Sequence, residues 1–165
     1  MAAGKTYEPL ATQTLGSNQA SVTFSSISGS YTDLVLIVNG GQSVATANGG
    51  LQFNGDTGSN YSQTYLRGNG STASGTRASN EAILRIDGIG WPTSNNANSI
   101  IQIQNYSNTT TYKTVLTRFN AAVYGTEAIV GLWRSTSAIN QIVVKSEAYA
   151  WLSGSTFTLY GILSA

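Results

Sequence analysis

The sequence contains no cysteine and no histidine. Without cysteine there are no disulfide bridges and no thiol chemistry, so the fold must be stabilised by its core and its neighbours. Without histidine, Ser-His-Asp catalysis, most zinc sites and a histidine proton switch are excluded. We therefore expect no cofactor and no histidine-based metal centre.

Charge is also scarce, because only 9% of the residues are Asp, Glu, Lys or Arg, against about 25% in an ordinary globular domain. The eight basic residues are scattered singly, which argues against nucleic-acid binding. Uncharged polar surfaces are common in proteins that assemble side by side, where few charges need desolvation. Such a surface is equally consistent with a general habit of extracellular or virion β-proteins.

Long apolar runs are missing too. No stretch approaches the roughly 18 apolar residues of a membrane span, and the N-terminus has no apolar signal-peptide core. We expect synthesis in a cytosol without a signal peptide, and no membrane contact. The 165 residues suit one domain, 1–165, preceded by a short N-terminal lead at 1–6.

What the sequence does contain is short apolar alternation, bounded by Gly, Asn and Ser and recurring every 8–15 residues. Residues 154–163 alternate as a strand with one packed face, and Asp33–Val38 is apolar on both faces. The latter predicts a central strand covered on both sides, at least at its middle. Residues 68–80 contain almost no apolar side chain and predict a long polar loop. No segment has the pattern of a capped amphipathic helix.

These patterns predict an all-β fold, a single jelly-roll-like antiparallel β-sandwich of about ten strands. A seven-stranded immunoglobulin sandwich fits less well, because it has fewer strands and usually carries a core cysteine pair.

The seven carboxylates offer little support for catalysis. A glycosidase needs two of them across one cleft; Asp87 with Glu127, or Glu81 with Asp56, are the conceivable pairs. Nothing in their spacing brings them together, so no catalytic residue and no enzymatic activity are expected. The segment 54–60, Asn-Gly-Asp-Thr-Gly-Ser-Asn, lacks the ligand spacing of a calcium loop, and we interpret it as an Asx-rich turn.

Aromatic residues near loops or strand ends are the more suggestive feature. The candidates for interface or glycan contacts are Trp91, Trp151, Tyr65, Tyr106 and Tyr149, because aromatic rings anchor protein interfaces and stack on sugar faces. The alternative is that such rings seal the ends of the sandwich. Trp133 alternates with Ile129 and is therefore assigned to the core.

Several segments together resemble a family of small virion structural proteins of tailed bacteriophages. These segments are Thr32–Asn39, Leu51–Ser62, Tyr65–Gly68, Asn105–Val115, Val130–Ser135, Ala138–Asn140 and Gly154–Ile162. Together they span most of the chain, from about Tyr7 to Ile162.

The resemblance implies a location in the virion and no particular reaction. It predicts a non-enzymatic structural protein, a surface jelly roll that decorates the capsid or forms part of a tail or fibre appendage. Its partners would be other virion proteins, and a homotrimer is favoured by analogy with jelly rolls on phage surfaces. The alternative is a carbohydrate-binding adsorption module, in which Trp91, Trp151 and residues 68–80 would contact host surface glycans.

Overall fold

The computed structural model describes residues 6–163, and these form twelve β-strands and no helix. The described residues accordingly include no helix that could span a membrane. Of the predicted N-terminal lead 1–6, residues 1–5 lie outside the described part. The strands are β1 Tyr7–Thr14, β2 Ser21–Phe24, β3 Asp33–Gly40, β4 Gly49–Phe53, β5 Tyr61–Gly68, β6 Ala73–Glu81, β7 Leu84–Arg85, β8 Ala97–Ile103, β9 Lys113–Ala121, β10 Gly125–Trp133, β11 Ile142–Ser146 and β12 Thr156–Ile162.

The strands form two antiparallel sheets. The large sheet has the order β1-β12-β3-β8-β9-β10-β5-β6, and the small sheet has the order β2-β11-β4-β7. Their inner faces pack on each other and enclose the core, so the predicted all-β sandwich is confirmed.

Eight of the strands have the nested pairing of a jelly roll. Among these eight, the first pairs with the last (β1 with β12) and the second with the seventh (β2 with β11). The third pairs with the sixth (β3 with β8), and the fourth with the fifth (β4 with β7). This is a long hairpin rolled into two sheets, so the jelly-roll prediction is confirmed by connectivity.

Two further hairpins widen the large sheet. The β5–β6 hairpin is inserted between β4 and β7, and the β9–β10 hairpin between β8 and β11. They extend the sheet beyond β8 by four strands. With the eight jelly-roll strands they make twelve, where about ten were predicted, and β6 is a strand that the sequence did not predict.

Alternation along the strands explains which side chains form the core. Along β9 and β10 every second residue is buried, as the two-residue period of a strand requires. In β3, the residues Leu34, Leu36 and Val38 are fully buried on the inner face. None of the described strands lies over its outer face, where Ile37 is half-buried. Val35, at the middle of the outer face, is only 5% exposed. The central position of β3 and burial on both faces at its middle were therefore predicted correctly, whereas cover along its whole outer face was not.

The predicted long loop at 68–80 is wrong. Gly68 ends β5, a turn over 69–72 follows, and the remainder belongs to β6, which pairs with β5. Asn69 organises the turn, since its side-chain Oδ1 accepts hydrogen bonds from the backbone N–H groups of Ser71 and Thr72. The backbone of this segment therefore pairs with β5 as a strand, although its side chains show no apolar alternation.

Candidate functional site

The aromatic residues predicted as surface contacts are mostly core residues. Trp91 and Trp151 are completely buried, as is Tyr106, and Tyr65 is only 3% exposed. The interpretation of these four as interface or glycan contacts is therefore wrong. Tyr149 alone of the five is exposed, at 49%. The predicted core position of Trp133 is confirmed, since it is also buried.

Three isolated β-bridges position the two tryptophans towards the core. Trp151 pairs with both Gln19 and Gln42, and Trp91 pairs with Ala47. These bridges hold the two chain segments between strands, so that both indoles enter the core. Gly49 makes the room, because a Cβ there would lie 2.7 Å from the ring of Trp151. The alternative that these aromatics seal the end of the sandwich agrees with this packing.

Tyr106 and Tyr65 are buried for different reasons. The Tyr106 hydroxyl donates a hydrogen bond to the carbonyl of Ser28 and accepts one from the N–H of Tyr31, which ties the 28–31 loop to the core. Tyr65 lies on the inner face of β5, and burial raises the pKa of its hydroxyl to about 12. Neither ring is available to a partner.

Asp87 is a buried carboxylate that organises backbone. Its Oδ1 accepts hydrogen bonds from the N–H of Gly49 at 2.7 Å and from the indole N–H of Trp91 at 2.9 Å. Its Oδ2 accepts one from the N–H of Gly90 at 3.0 Å. Burial raises the pKa of Asp87 to about 8, the charge of Glu127 adds to the rise, and these three donors oppose it. The side chain is committed to holding the 86–91 segment.

Glu127 lies near Asp87 and, like Asp87, accepts hydrogen bonds from backbone N–H groups. Its Oε2 accepts hydrogen bonds from the N–H groups of Gly88 at 2.6 Å and Ile89 at 3.3 Å. Its Oε1 lies 3.1 Å from Nε of Arg67 as an ion pair. The two carboxylates of the first conceivable pair therefore both face the 87–90 backbone and are both buried. Such a pair positions a loop and offers no face to a sugar.

The second conceivable pair, Glu81 with Asp56, is not supported either, because the Asp56 carboxylate is occupied by donors from its own turn and from β10. It accepts hydrogen bonds from the N–H of Gly58 at 2.9 Å, from the amide of Asn60, and from the indole N–H of Trp133 at 2.7 Å. Asn54 and Gly55 adopt positive φ, at 52° and 72°. The interpretation of 54–60 as an Asx-rich turn is confirmed. Among residues 6–163, no group of three or more acidic side chains is placed to hold a metal ion.

The outer face of the large sheet carries the most unusual surface of the molecule. One row of cross-strand neighbours runs through Leu66, Ala128, Arg118 and Ile100. The next row runs through Thr64, Val130, Leu116 and Gln102. Leu66 is 66% exposed and Val130 is 53% exposed. Two large aliphatic side chains therefore lie side by side in solvent on β10 and β5, towards the β6 margin of a broad sheet.

We call this surface the outer patch and define it by the apolar side chains that share the outer face of β3, β8, β9, β10 and β5: Ile37, Leu66, Ile100, Leu116, Val130 and Leu132. Arg118 is the charged residue within it, and Arg77 of β6 borders it beside Thr64. A shallow depression of about 300 Å³ lies over its centre, between Leu66, Leu116 and Val130. Contiguous exposed apolar surface of this kind marks interaction sites in soluble proteins.

A second surface feature is a groove at the opposite side of the sandwich, where β1 and β12 meet the end of β2. It has a volume of about 430 Å³ and is lined by Leu10, Gln13, Ser26, Ser28, Tyr31 and Leu159, among others. The ring of Tyr31 lies against Gly161, where a Cβ would approach it to 2.4 Å. The groove therefore combines one half-buried aromatic ring with several hydroxyl and amide groups.

Neither surface was predicted from the sequence. For the outer patch a signal was present, because Asp33–Val38 is apolar on both faces. We interpreted that pattern as burial on both sides, whereas an uncovered interaction face has the same pattern. For the groove no sequence signal is apparent, since its lining residues come from the chain's two ends.

No family model matches the sequence, and no curated protein matches it. Among solved structures, the galectin LEC-6 of Caenorhabditis elegans is similar over 99% of this chain and 100% of its own, with 7% identity and a TM-score of 0.38. The alginate lyase Aly36B is similar over 93% of this chain and 81% of its own, with 10% identity and a TM-score of 0.37. At these scores no residue or activity is transferred, and the fold assignment rests on the strand pairings themselves.

Proposed function

We propose that this protein is a non-enzymatic structural component of a bacteriophage particle, attached to another virion protein through the outer patch. The virion is its proposed location, on the capsid as a decoration protein or on the tail as a fibre or appendage component. The outer patch is the observation that carries this proposal, and the resemblance of seven segments to phage virion proteins supplies the setting.

The chemistry of the outer patch suits protein packing. Leu66 and Val130 are neighbours across β5 and β10 in adjacent rows, and both project far into solvent. Burying them against a partner releases water from apolar surface at about 25 cal/mol per Å². Few charges need desolvation on contact, since Arg118 is the charged residue inside the patch.

The buried state of the carboxylates supports a non-enzymatic role. Asp87 and Glu127 lie close enough to interact electrostatically, but both accept backbone N–H groups and neither lines the described groove or the outer patch. A hydrolase built on this pair would need a substrate path into the core.

The proposal is tested by replacing Val130 with lysine and adding the purified variant to phage particles that lack the protein. V130K places a charge in the outer patch and is expected to reduce incorporation at least tenfold. V44K makes the same change at an exposed valine outside the patch and is expected to be incorporated normally. Equal incorporation of both variants would overturn the proposed attachment surface.

Gold-labelled antibody on intact particles separates the two locations. Label over the head supports capsid decoration, and label on the tail or its fibres supports an appendage. Label that appears only on disrupted particles would place the protein at an internal joint and overturn a surface role in either place.

A second function, recognition of a host glycan, is favoured by the groove beside Tyr31. An aromatic ring flanked by hydroxyl and amide groups is a common way to hold a sugar. Titration of host surface polysaccharide into the protein would show binding that Y31A abolishes. Y112A, which removes an exposed tyrosine that does not line the groove, is the control and is expected to bind normally. Absence of binding by the unmodified protein would rule out this role for the groove.

A further inference from the structure

The four edge strands of the sandwich differ sharply in how they are protected from pairing with another chain. In the small sheet, the edges β2 and β7 have only four and two residues. In the large sheet, β1 contains Pro9, and its register with β12 shifts between Pro9 and Ala11. Short length, proline and bulges are the usual means of preventing edge-to-edge association.

The remaining edge strand, β6, lacks these protections over most of its length. It is nine residues long, contains neither proline nor lysine, and pairs in regular register with β5 from Ala73 to Ser79. Its only irregularity comes at its end, at Asn80, where the register shifts. Among the described strands, β5 is its only partner. One side of its backbone therefore presents a row of unpaired N–H and C=O groups.

We infer that β6 pairs with β6 of a second copy of this chain, antiparallel and about a two-fold axis at Thr76, which joins the two large sheets into one. This goes beyond the proposed attachment to the virion and does not depend on it. A two-fold contact uses the same strand in both copies, so a single unprotected edge is sufficient.

The side chains of β6 are self-complementary in this register. Centring the pair on Thr76 sets Thr76 opposite its own copy, which is a favourable cross-strand pair. It sets Arg77, which is large, opposite Gly75, which has no side chain. Centring the pair on Arg77 instead would place two guanidinium groups opposite each other, which is unfavourable.

The outer patch supports the same arrangement, because it reaches the β6 edge. Leu66 is the cross-strand neighbour of Gly75 on the outer face. Joining two β6 strands therefore brings the two outer patches onto a single continuous surface, with the two Arg77 side chains at the seam. In a single copy the outer patch ends at β6, and in the dimer it continues across β6 onto the second copy.

The test is sedimentation of the purified full chain over a range of concentrations at low salt, with charge variants at Thr76. The unmodified protein is expected to move from monomer towards dimer as concentration rises. T76K and T76E each set like charges opposite each other and should weaken the dimer about fivefold or more. Mixing them one to one sets lysine opposite glutamate and should restore dimers. T12K, on the protected edge β1, is the matched control and should dimerise normally.

Several results would overturn the inference. A monomer at every concentration would do so, as would dimerisation of T76K equal to that of the unmodified protein, or loss of the dimer in T12K. The homotrimer, favoured by analogy with jelly rolls on phage surfaces, remains a prediction. A trimer without two-fold contacts contradicts the β6 pairing, and a hexamer that T76K splits into trimers supports it. Incorporation of T76K into particles is measured separately, so the failure of this contact and of the outer-patch attachment are distinguishable.

Discussion

The indole ring of Trp151 packs edge-on against that of Trp91, with the ring centroids 4.9 Å apart and the planes at 84°. Phe119 packs edge-on against Trp91 at 4.9 Å, and Phe157 against Trp151 at 5.4 Å. The four rings form a continuous chain through the core, from β9 to β12. Edge-to-face contacts of this kind add to the stabilisation that burial of the rings provides.

Removal of a ring from the middle of this chain should be severely destabilising. W151A is expected to lower the free energy of unfolding by about 3–5 kcal/mol, because it leaves a large cavity between Trp91 and Phe157. Chemical denaturation measures the change. Y149A, two residues away but exposed, should change stability by less than about 0.5 kcal/mol. Similar losses in both variants would contradict the burial described for Trp151.

Asp87 should make stability depend on pH in an unusual direction. Its pKa in the folded protein is raised to about 8, so between about pH 4 and pH 8 the folded state retains a proton that the unfolded state has lost. The stabilisation is therefore present at acid pH and lost as pH rises through that window. We expect the stability of the unmodified protein relative to D87N to fall by up to about 1.4 kcal/mol per pH unit.

Denaturation of both proteins at pH 5, 6.5 and 8 measures this dependence. D87N serves as its own control, since an amide at this position cannot titrate. A stability difference that rises with pH would show that the three N–H donors outweigh burial and keep Asp87 charged.

Thr117 carries a buried hydroxyl for which no partner is found within the described part of the chain. Replacing it with valine removes a polar atom that burial penalises and retains nearly the same shape. T117V is expected to raise the free energy of unfolding by about 1 kcal/mol. S146A is the contrasting variant, because the buried Ser146 hydroxyl donates a 2.8 Å hydrogen bond to Gln42, and its loss should destabilise the protein. If T117V also destabilises, the hydroxyl has a partner, such as an ordered water.

Gly161 gives a prediction about the groove. A methyl group at this position would meet the ring of Tyr31, so G161A should push the ring outwards and cost about 1–3 kcal/mol. Near-ultraviolet circular dichroism would detect the change in the tyrosine environment. G16A is the matched control, since a Cβ there has open space within 4 Å. Identical spectra for G161A and the unmodified protein would show that Tyr31 does not rest on Gly161.

The sequence predicted the strands correctly wherever apolar and polar residues alternate along them. The strands of the core, the central place of β3 and the turn around Asp56 were all predictable from alternation or from Asn, Asp and Gly chemistry. β6 was not, because neither of its faces is covered and its side chains therefore show no apolar period. It is held as a strand by its backbone pairing with β5. That pairing leaves no mark in the side-chain pattern of β6 itself.

The candidate site was hard to predict for a related reason. Whether Trp91 and Trp151 point inwards depends on bridges to Ala47, Gln19 and Gln42, contacts between distant segments that local spacing does not reveal. Apolar residues on both faces of β3 were consistent with two covering layers or with one layer and an open interaction face. Only the arrangement of the sheets distinguishes these cases, and the open face is the one that the structure shows.

The pairing of β1 with β12 has a practical consequence for how this module combines with others. Tyr7 is the cross-strand neighbour of Ile162, so the two ends of the described chain meet at one margin of the large sheet. β6 lies at the opposite margin, seven strand spacings or about 34 Å away. A tag or guest domain joined at either end would leave from the β1–β12 margin, and the β6 margin would stay free. The whole module could equally be carried as an insertion in a larger host protein, entering and leaving through a single loop.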